Sequence, residues 1–284
     1  MQNKIDILPS QRSIARSEKR RSRLHLFEWE DQPWFPKLFR NFITDHLVYH
    51  SSRLFLPLVA SLSENLRATE NTKIVDLCSG SGGPLPALLP ECSKALSSPI
   101  TATLTDLYPN IESFEKVKDK SEGVIDYQSE PINAKNCPEE LAGMRTLFTS
   151  LHHFRPKDAK KILDDAAKKR VAIGAFEIQE RNSFNLFITP MIIFLSAFIL
   201  TPFVGRMTFG RFIFTYLIPL MPFFYMWDGA VSCLRTYQPE ELDELTRDLQ
   251  YENYRWESGT IPASGYIGRY NITYLIGAPV NPNN

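Results

Sequence analysis

From Lys73 onward, short apolar runs alternate with stretches whose apolar residues recur at helical spacing. KIVDL (73–77), ITATLTD (100–106), GVIDYQ (123–128), RTLFTS (145–150) and VAIGAFE (171–177) read as buried strands. Between them, Leu85, Leu88, Leu89 and Cys92 fall at i, i+3, i+4 and i+7 after Gly83-Pro84, and Ala159, Ile162, Leu163 and Ala166 share one face after Pro156. Pro90 is expected to kink or shorten the first of these helices. Strands alternating with helices predict a parallel sheet covered on both faces. A further helix is predicted from Pro239, with Glu240 and Glu241 at its start and Leu242, Leu245 and Leu249 on one side. Two strand-like runs near 254–260 and 270–277 are too close together for an intervening helix, and predict an antiparallel pair at the sheet's end.

Two stretches depart from this alternation. Residues 24–60 are aromatic and mixed in charge, with FEWEDQPWFP at 27–36 reading as an ordered turn and helical spacing from about Leu38 to Leu66. Residues 184–227 are long, apolar and interrupted by Pro190, Pro202, Pro219 and Pro222. The pattern therefore divides the chain into a basic arm (1–23), an N-terminal helical cap (24–68), an α/β core (69–183 and 228–284) and an apolar helical insert (184–227). Phe184–Gly205 is uncharged and about long enough for one bilayer span at ~20 residues. A hairpin through the bilayer would carry Arg206 and Arg211 to the far side, against the positive-inside tendency. The insert is expected to cap a pocket, form a dimer surface, or lie in one leaflet rather than cross.

Composition changes this picture little. Lys and Arg number 32 against 32 Asp and Glu in 284 residues, so no global field draws the chain toward nucleic acid. Positive charge is local, in Arg12, Arg16, Lys19, Arg20, Arg21 and Arg23. The 4 cysteines are widely spaced, without a CxxC pair or zinc spacing, and the first thirty residues lack a signal-peptide core. A cytoplasmic setting follows, with association to the inner face of a membrane if the insert meets lipid.

The stretch VDLCSGSGG (75–83) joins a strand to a helix, where bare backbone lets a ligand approach and the helix start supplies N–H donors. A dinucleotide fingerprint from Gly80 would place Leu85 at its third position, and a phosphate-gripping loop would need Gly-Lys-Ser/Thr. A nucleoside without phosphates asks for less: small residues and an acid at the end of the second strand, here Asp106.

Asp76 to Gly82 resembles the first motif of class I S-adenosylmethionine-dependent methyltransferases, an acid followed by GxGxG. The resemblance covers roughly 70–180 and returns for 236–277. It implies a Rossmann-like fold with a seven-stranded, mostly parallel sheet whose last strand is antiparallel, and S-adenosyl-L-methionine as cofactor. It implies that Asp76 orients the loop and the methionine amine, and that Gly80 and Gly82 are the second and third glycines. Cys78 stands where the first glycine is usual. Asp106 matches the ribose-binding acid, with Leu107 beside it. Asn133 and Ala134 in EPINA (130–134) fill the adenine motif, with Asp126 the competing candidate. TSLHHF (149–154) resembles the end of the fourth strand, bringing Ser150 toward the methionine end.

Methyl transfer to a hydroxyl needs a proton acceptor. His153 and His152 lie at the right strand end and are the candidate catalytic residues, His153 first. Glu177 and Glu180 are further candidates to orient a substrate, although glutamates at a strand end are usually solvated. Trp29, Trp34 and Phe35 either roof the site or pack in a core or interface. The histidine pattern offers no metal site. The expected function is methyl transfer to a small, hydrophobic or lipid-like acceptor, without nucleic acid, with a peripheral membrane contact or a homodimer through 184–227. The alternative is a non-catalytic, membrane-associated binding or assembly protein on the same fold.

Overall fold

The structure is a computed structural model, and it describes residues 23–265 and 268–280. Most of the basic arm lies outside these residues. Arg23 is the described end of that arm, and it is half-buried: its Nη2 donates to the carbonyls of His152 and Phe154 at 2.9 and 3.0 Å.

The seven strands are β1 (Lys73–Asp76), β2 (Thr101–Leu104), β3 (Ile125–Tyr127), β4 (Met144–Phe148), β5 (Ile173–Glu177), β6 (Tyr254–Gly265) and β7 (Gly268–Pro279). They form one sheet in the order β3-β2-β1-β4-β5-β7-β6. The first five are mutually parallel, with Ile74 level with Ala102 on one side and Met144 on the other. β7 runs antiparallel to both β5 and β6. The order reverses at β1, where β1 has β2 on one flank and β4 on the other, so the crevice beyond their carboxyl ends is the expected ligand position.

Helices cover both faces. α1 (Lys37–Ser51) and α2 (Val59–Ala68) precede the sheet; α3 (Leu85–Leu96), α4 (Ile111–Lys120) and α5 (Pro156–Lys168) connect its strands. Leu62 and Leu66 of α2, Leu88 of α3 and Phe114 of α4 join Ile74 and Leu104 in one core. Ile162 and Leu163 of α5 join Val75, Leu147 and Leu275 in the other, together with Leu242 and Leu245 of α9 (Pro239–Thr246). α3 is not shortened at Pro90 but continues to Leu96, because Leu85, Leu88, Leu89 and Cys92 are all buried on the sheet and their burial outweighs one lost backbone hydrogen bond.

The apolar stretch is helical. It comprises α6 (Ser183–Leu200), the short α7 (Phe209–Phe212) continuing into a wide π turn (Ile213–Leu217), and α8 (Leu220–Arg235), which runs on past residue 227 to the start of α9. A third core joins this unit to α1 through Phe42, Ile43, Ala197, Met221 and Tyr225. α6 is long and apolar enough to cross a membrane; the α7 arm and α8 pass the same test only as a pair bent by 75°.

Candidate active site

β1 ends in Asp76, whose buried carboxylate accepts from the Thr146 hydroxyl of β4 at 2.6 Å. Burial pushes this carboxyl up to about 7. Its carbonyl also accepts from the amide and hydroxyl of Thr105, at 2.9 and 2.8 Å. Asp76 thus ties β1, β2 and β4 together beneath the glycine loop, and it does not line the cavity above.

The loop then turns sharply. Cys78 has φ +59°, the left-handed conformation that favours glycine, at the position where the motif usually has its first glycine. Gly80, also left-handed, donates its N–H to Asp106 Oδ2 at 2.8 Å. Gly82 serves packing instead: a Cβ there would lie 2.8 Å from Val117 of α4.

Above the loop lies a cavity of about 380 Å³, roofed by Arg40, Asn41 and Thr44 of α1 and floored by Cys78, Gly80 and Asp106. Leu107, Tyr108, Ser150 and His153 also line it. Asp106 is half-buried; Oδ1 accepts from Tyr108 N at 2.8 Å, which leaves lone pairs on both oxygens for a diol. The adenine-motif candidates do not line this cavity, although Ile132 N donates to the Asp106 carbonyl at 2.8 Å and brings EPINA beside it. The exposed Asn133 accepts from Lys135 N and caps a short turn, and Ala134 is buried under α5. Asp126 is on the surface, paired with Lys118.

A second cavity, of about 410 Å³, abuts the first. Glu30, Leu47, Thr149 and His153 line both. Its remaining wall is mostly apolar and comes from the insert, with Phe184, Ile192 and Ile193 of α6 and Tyr225 and Gly229 of α8.

The end of β4 lies along this seam. Thr149 has φ +51°, and Thr149 Oγ1, Ser150 Oγ and His152 Nε2 are buried atoms without a hydrogen-bond partner. Three such orphans on one turn leave hydrogen-bonding capacity unused along the seam. His152 is 1% exposed, and its orientation is set from behind: Nδ1 donates to Glu177 Oε2 at 2.8 Å, and its backbone N–H donates to Oε1 at 3.1 Å. Glu177 is therefore buried and occupied rather than solvated. Glu180 is a structural tie, accepting from the Asn271 amide groups of β7.

His153 has a different environment. Nδ1 lies 2.8 Å from Glu28 and 2.9 Å from Asp31, and Nε2 lies 3.5 Å from Glu30. Burial alone would lower its pKa, but Glu28 and Asp31 outweigh that and hold it well above the ordinary value. It is an imidazolium at neutral pH, with no lone pair to accept a proton. Arg235 of α8 shares Glu28 at 2.8 Å and Asp31 at 2.5 Å. Burial pushes the Glu30 carboxyl up, and Asp228, which accepts from Trp29 N and Glu30 N, is pushed up by burial and by Glu30. Ligand-type atoms of Glu28, His152 and His153 come within 4.8 Å of one another, a gathering no sequence spacing announced. Arg235 and the proton on His153 already neutralise Glu28 there.

The acids of FEWEDQPWF were missed as site residues because they lie over a hundred positions from His153. Their one signal was an ordered turn carrying three acids between aromatic anchors. Trp29 and Phe35 pack on Phe224 of α8, while Trp34 is exposed. They anchor the segment; its acids reach the site.

No protein-family model matches this chain, and no curated protein matches it. Solved structures similar to it include an O-methyltransferase family protein from Burkholderia thailandensis, at 16% identity and a TM-score of 0.45, covering 84% of this chain and 60% of that one. Human N-acetylserotonin methyltransferase in complex with S-adenosylmethionine is similar at 14% identity and a TM-score of 0.46, covering 84% and 56%. The CMeT domain of the citrinin polyketide synthase is similar at 11% identity and a TM-score of 0.48, covering 90% and 60%. The chain thus spans less than two thirds of the length of these proteins. The strand order, the antiparallel β7 and the glycine turn after β1 are the direct grounds for the fold. It is the Rossmann-like fold of class I methyltransferases.

Proposed function

We propose that this chain transfers a methyl group from S-adenosylmethionine to a small, apolar acceptor that carries a hydroxyl. The observation behind this reading is the seam between two cavities, where buried polar atoms of Thr149, Ser150 and His152 lack partners. The nucleoside-sized cavity fits the cofactor: Asp106 has free lone pairs for a ribose, and Gly80 lines the cavity beside it. When bound, the cofactor supplies an electrophilic methyl already activated by its sulfonium.

The protein's own work is then positioning and proton handling. Holding two reactants in line is worth up to roughly 7–11 kcal/mol. His152 lines the acceptor cavity, and its unpartnered Nε2 is assigned to take the hydroxyl proton, while Glu177 on Nδ1 holds the ring's tautomer and stabilises the charge that forms. His153 remains a cation locked to Glu28 and Asp31, shaping the wall between the cavities. The apolar walls from α6 and α8 select the acceptor and exclude water.

The test is incubation of the full chain with isotopically methyl-labelled cofactor and cell lipid and metabolite extracts. A labelled product whose formation needs His152 supports the reading. Tight cofactor binding with no labelled product from any extract would favour the non-catalytic alternative.

A further inference from the structure

α6 is apolar on every side, yet the protein covers only one of them. Pro190 and Ala197 are buried and Ile193 packs against the third core, whereas Phe184, Phe187, Met191, Leu195 and Ile199 form a bare stripe at helical spacing. Phe187 is 69% exposed and Phe184 64%. The stripe continues across the turn through Phe203 and Phe209, the latter 81% exposed, and returns along Leu217, Phe223 and Trp227. Apolar surface on this scale marks a partner rather than chance exposure. A helix apolar all round is normally in a core or in lipid.

Two further features identify the partner. First, the far end of α6 and the turn beyond it are tied to α1 and, through Asp45, to the glycine loop. At its C-terminal end, Thr201 meets His46 of α1 at 3.1 Å, and Arg211 pairs with Asp45, which itself accepts from Ser81 of the glycine loop at 2.7 Å. The far turn therefore cannot leave for the other side of a bilayer without breaking a buried ion pair. Second, Phe184 belongs both to the bare stripe and to the wall of the apolar cavity. A second copy of the chain seated on the stripe would close that mouth, whereas a lipid surface would feed it.

We propose that the bare face of α6, the α7 turn and the α7-side end of α8 lies in the hydrocarbon of one membrane leaflet, and that the acceptor is a membrane-dissolved amphiphile entering beside Phe184. The first part stands on the surface alone; the second rests on the methyl-transfer reading above. An in-plane element buried a few ångströms below the headgroups needs apolar area and no crossing.

Density-gradient flotation of the full chain tests the first part, with phosphatidylcholine vesicles and with vesicles containing phosphatidylglycerol. The chain floats with both, and the double variant Phe187→Asp/Phe209→Asp weakens vesicle affinity by at least about tenfold while S-adenosylmethionine affinity is unchanged. Neither residue lines a cavity. A chain that stays at the bottom as a defined dimer, or flotation only on anionic vesicles and unaffected by the variant, overturns the proposal in favour of a copy–copy interface or an electrostatic contact. Arg206→Cys labelled by an impermeant thiol reagent from the far side of sealed vesicles would overturn the in-plane geometry. For the second part, labelled methyl is expected in organic-extractable product, and the double variant slows methylation of vesicle-borne acceptor but not of detergent-dispersed acceptor. Label found only in water-soluble product overturns entry from the membrane. Failure of cofactor binding in the wild-type chain would instead remove the methyl-transfer reading and leave the flotation result standing.

Discussion

Replacing Asp106 tests the cofactor site without knowledge of the acceptor. In the free protein its carboxylate holds Gly80 N on one oxygen and Tyr108 N on the other, both at 2.8 Å. The same oxygens are the acceptors left for a ribose diol. Removing a charged hydrogen-bond partner costs about 1.5–3 kcal/mol, so Asp106→Ala should raise the cofactor dissociation constant about 10- to 150-fold. Part of that loss would come from the loop, because Gly80 N then has no partner. Asp106→Asn separates the two effects. Its carbonyl oxygen can still hold Gly80 N, but its amide cannot accept from Tyr108 N or from a second hydroxyl. It should therefore lose about tenfold in affinity, near the lower bound of one charged bond, with a melting temperature close to wild type. Calorimetric titration of S-adenosylmethionine and its demethylated product into all three proteins measures this. An Asp106→Asn affinity within twofold of wild type would remove the ribose contact and with it the reading of the cavity.

Three further outcomes are expected. His152→Ala should lower turnover about 10²–10⁴-fold with cofactor affinity unchanged, and Glu177→Gln about 10–10²-fold through the lost charge on Nδ1; turnover near wild type in His152→Ala would make His152 a packing residue. Buried His46 has its pKa lowered to about 4, chiefly by burial, so it is neutral in the fold; its contribution is present above pH 6.5 and is lost as pH falls from 6.5 toward 4. That is about 3 kcal/mol over the window, and urea unfolding of His46→Gln should show a correspondingly shallower acid dependence. Burial also pushes the Cys78 thiol up, so alkylation at pH 8 should be slow and further blocked by cofactor. Cys78→Gly should change stability by no more than about 1 kcal/mol, since relief of the left-handed strain offsets the added chain entropy; a larger loss in unfolding titrations would assign the side chain a packing role.

The order of elements was legible in the chain because period-2 and period-3.6 patterns are local. The runs at 73–77, 100–106, 145–150 and 171–177 became β1, β2, β4 and β5, and the closing pair became the hairpin β6–β7. The glycine turn and Asp106 were equally visible, since a strand–turn–helix and the acid on the next parallel strand are placed together by the sheet itself. What pairs with what across the site was not legible. No spacing brings Glu28 and Asp31 to His153, or Arg235 to both; these contacts exist because the aromatic residues around the acids pack against α8. That packing distinguishes two adjacent histidines: one becomes a locked cation, while the other keeps a bare Nε2 backed by Glu177. The adenine-motif residues illustrate the converse limit, because a side chain's direction at a strand end depends on the turn that follows, and Asn133 uses its oxygen to cap that turn. Composition alone established that 184–227 is apolar; only the tertiary structure decided that α6 packs one face against α8 and leaves the other bare, with its far end and the turn beyond it tied to α1 at His46 and Asp45.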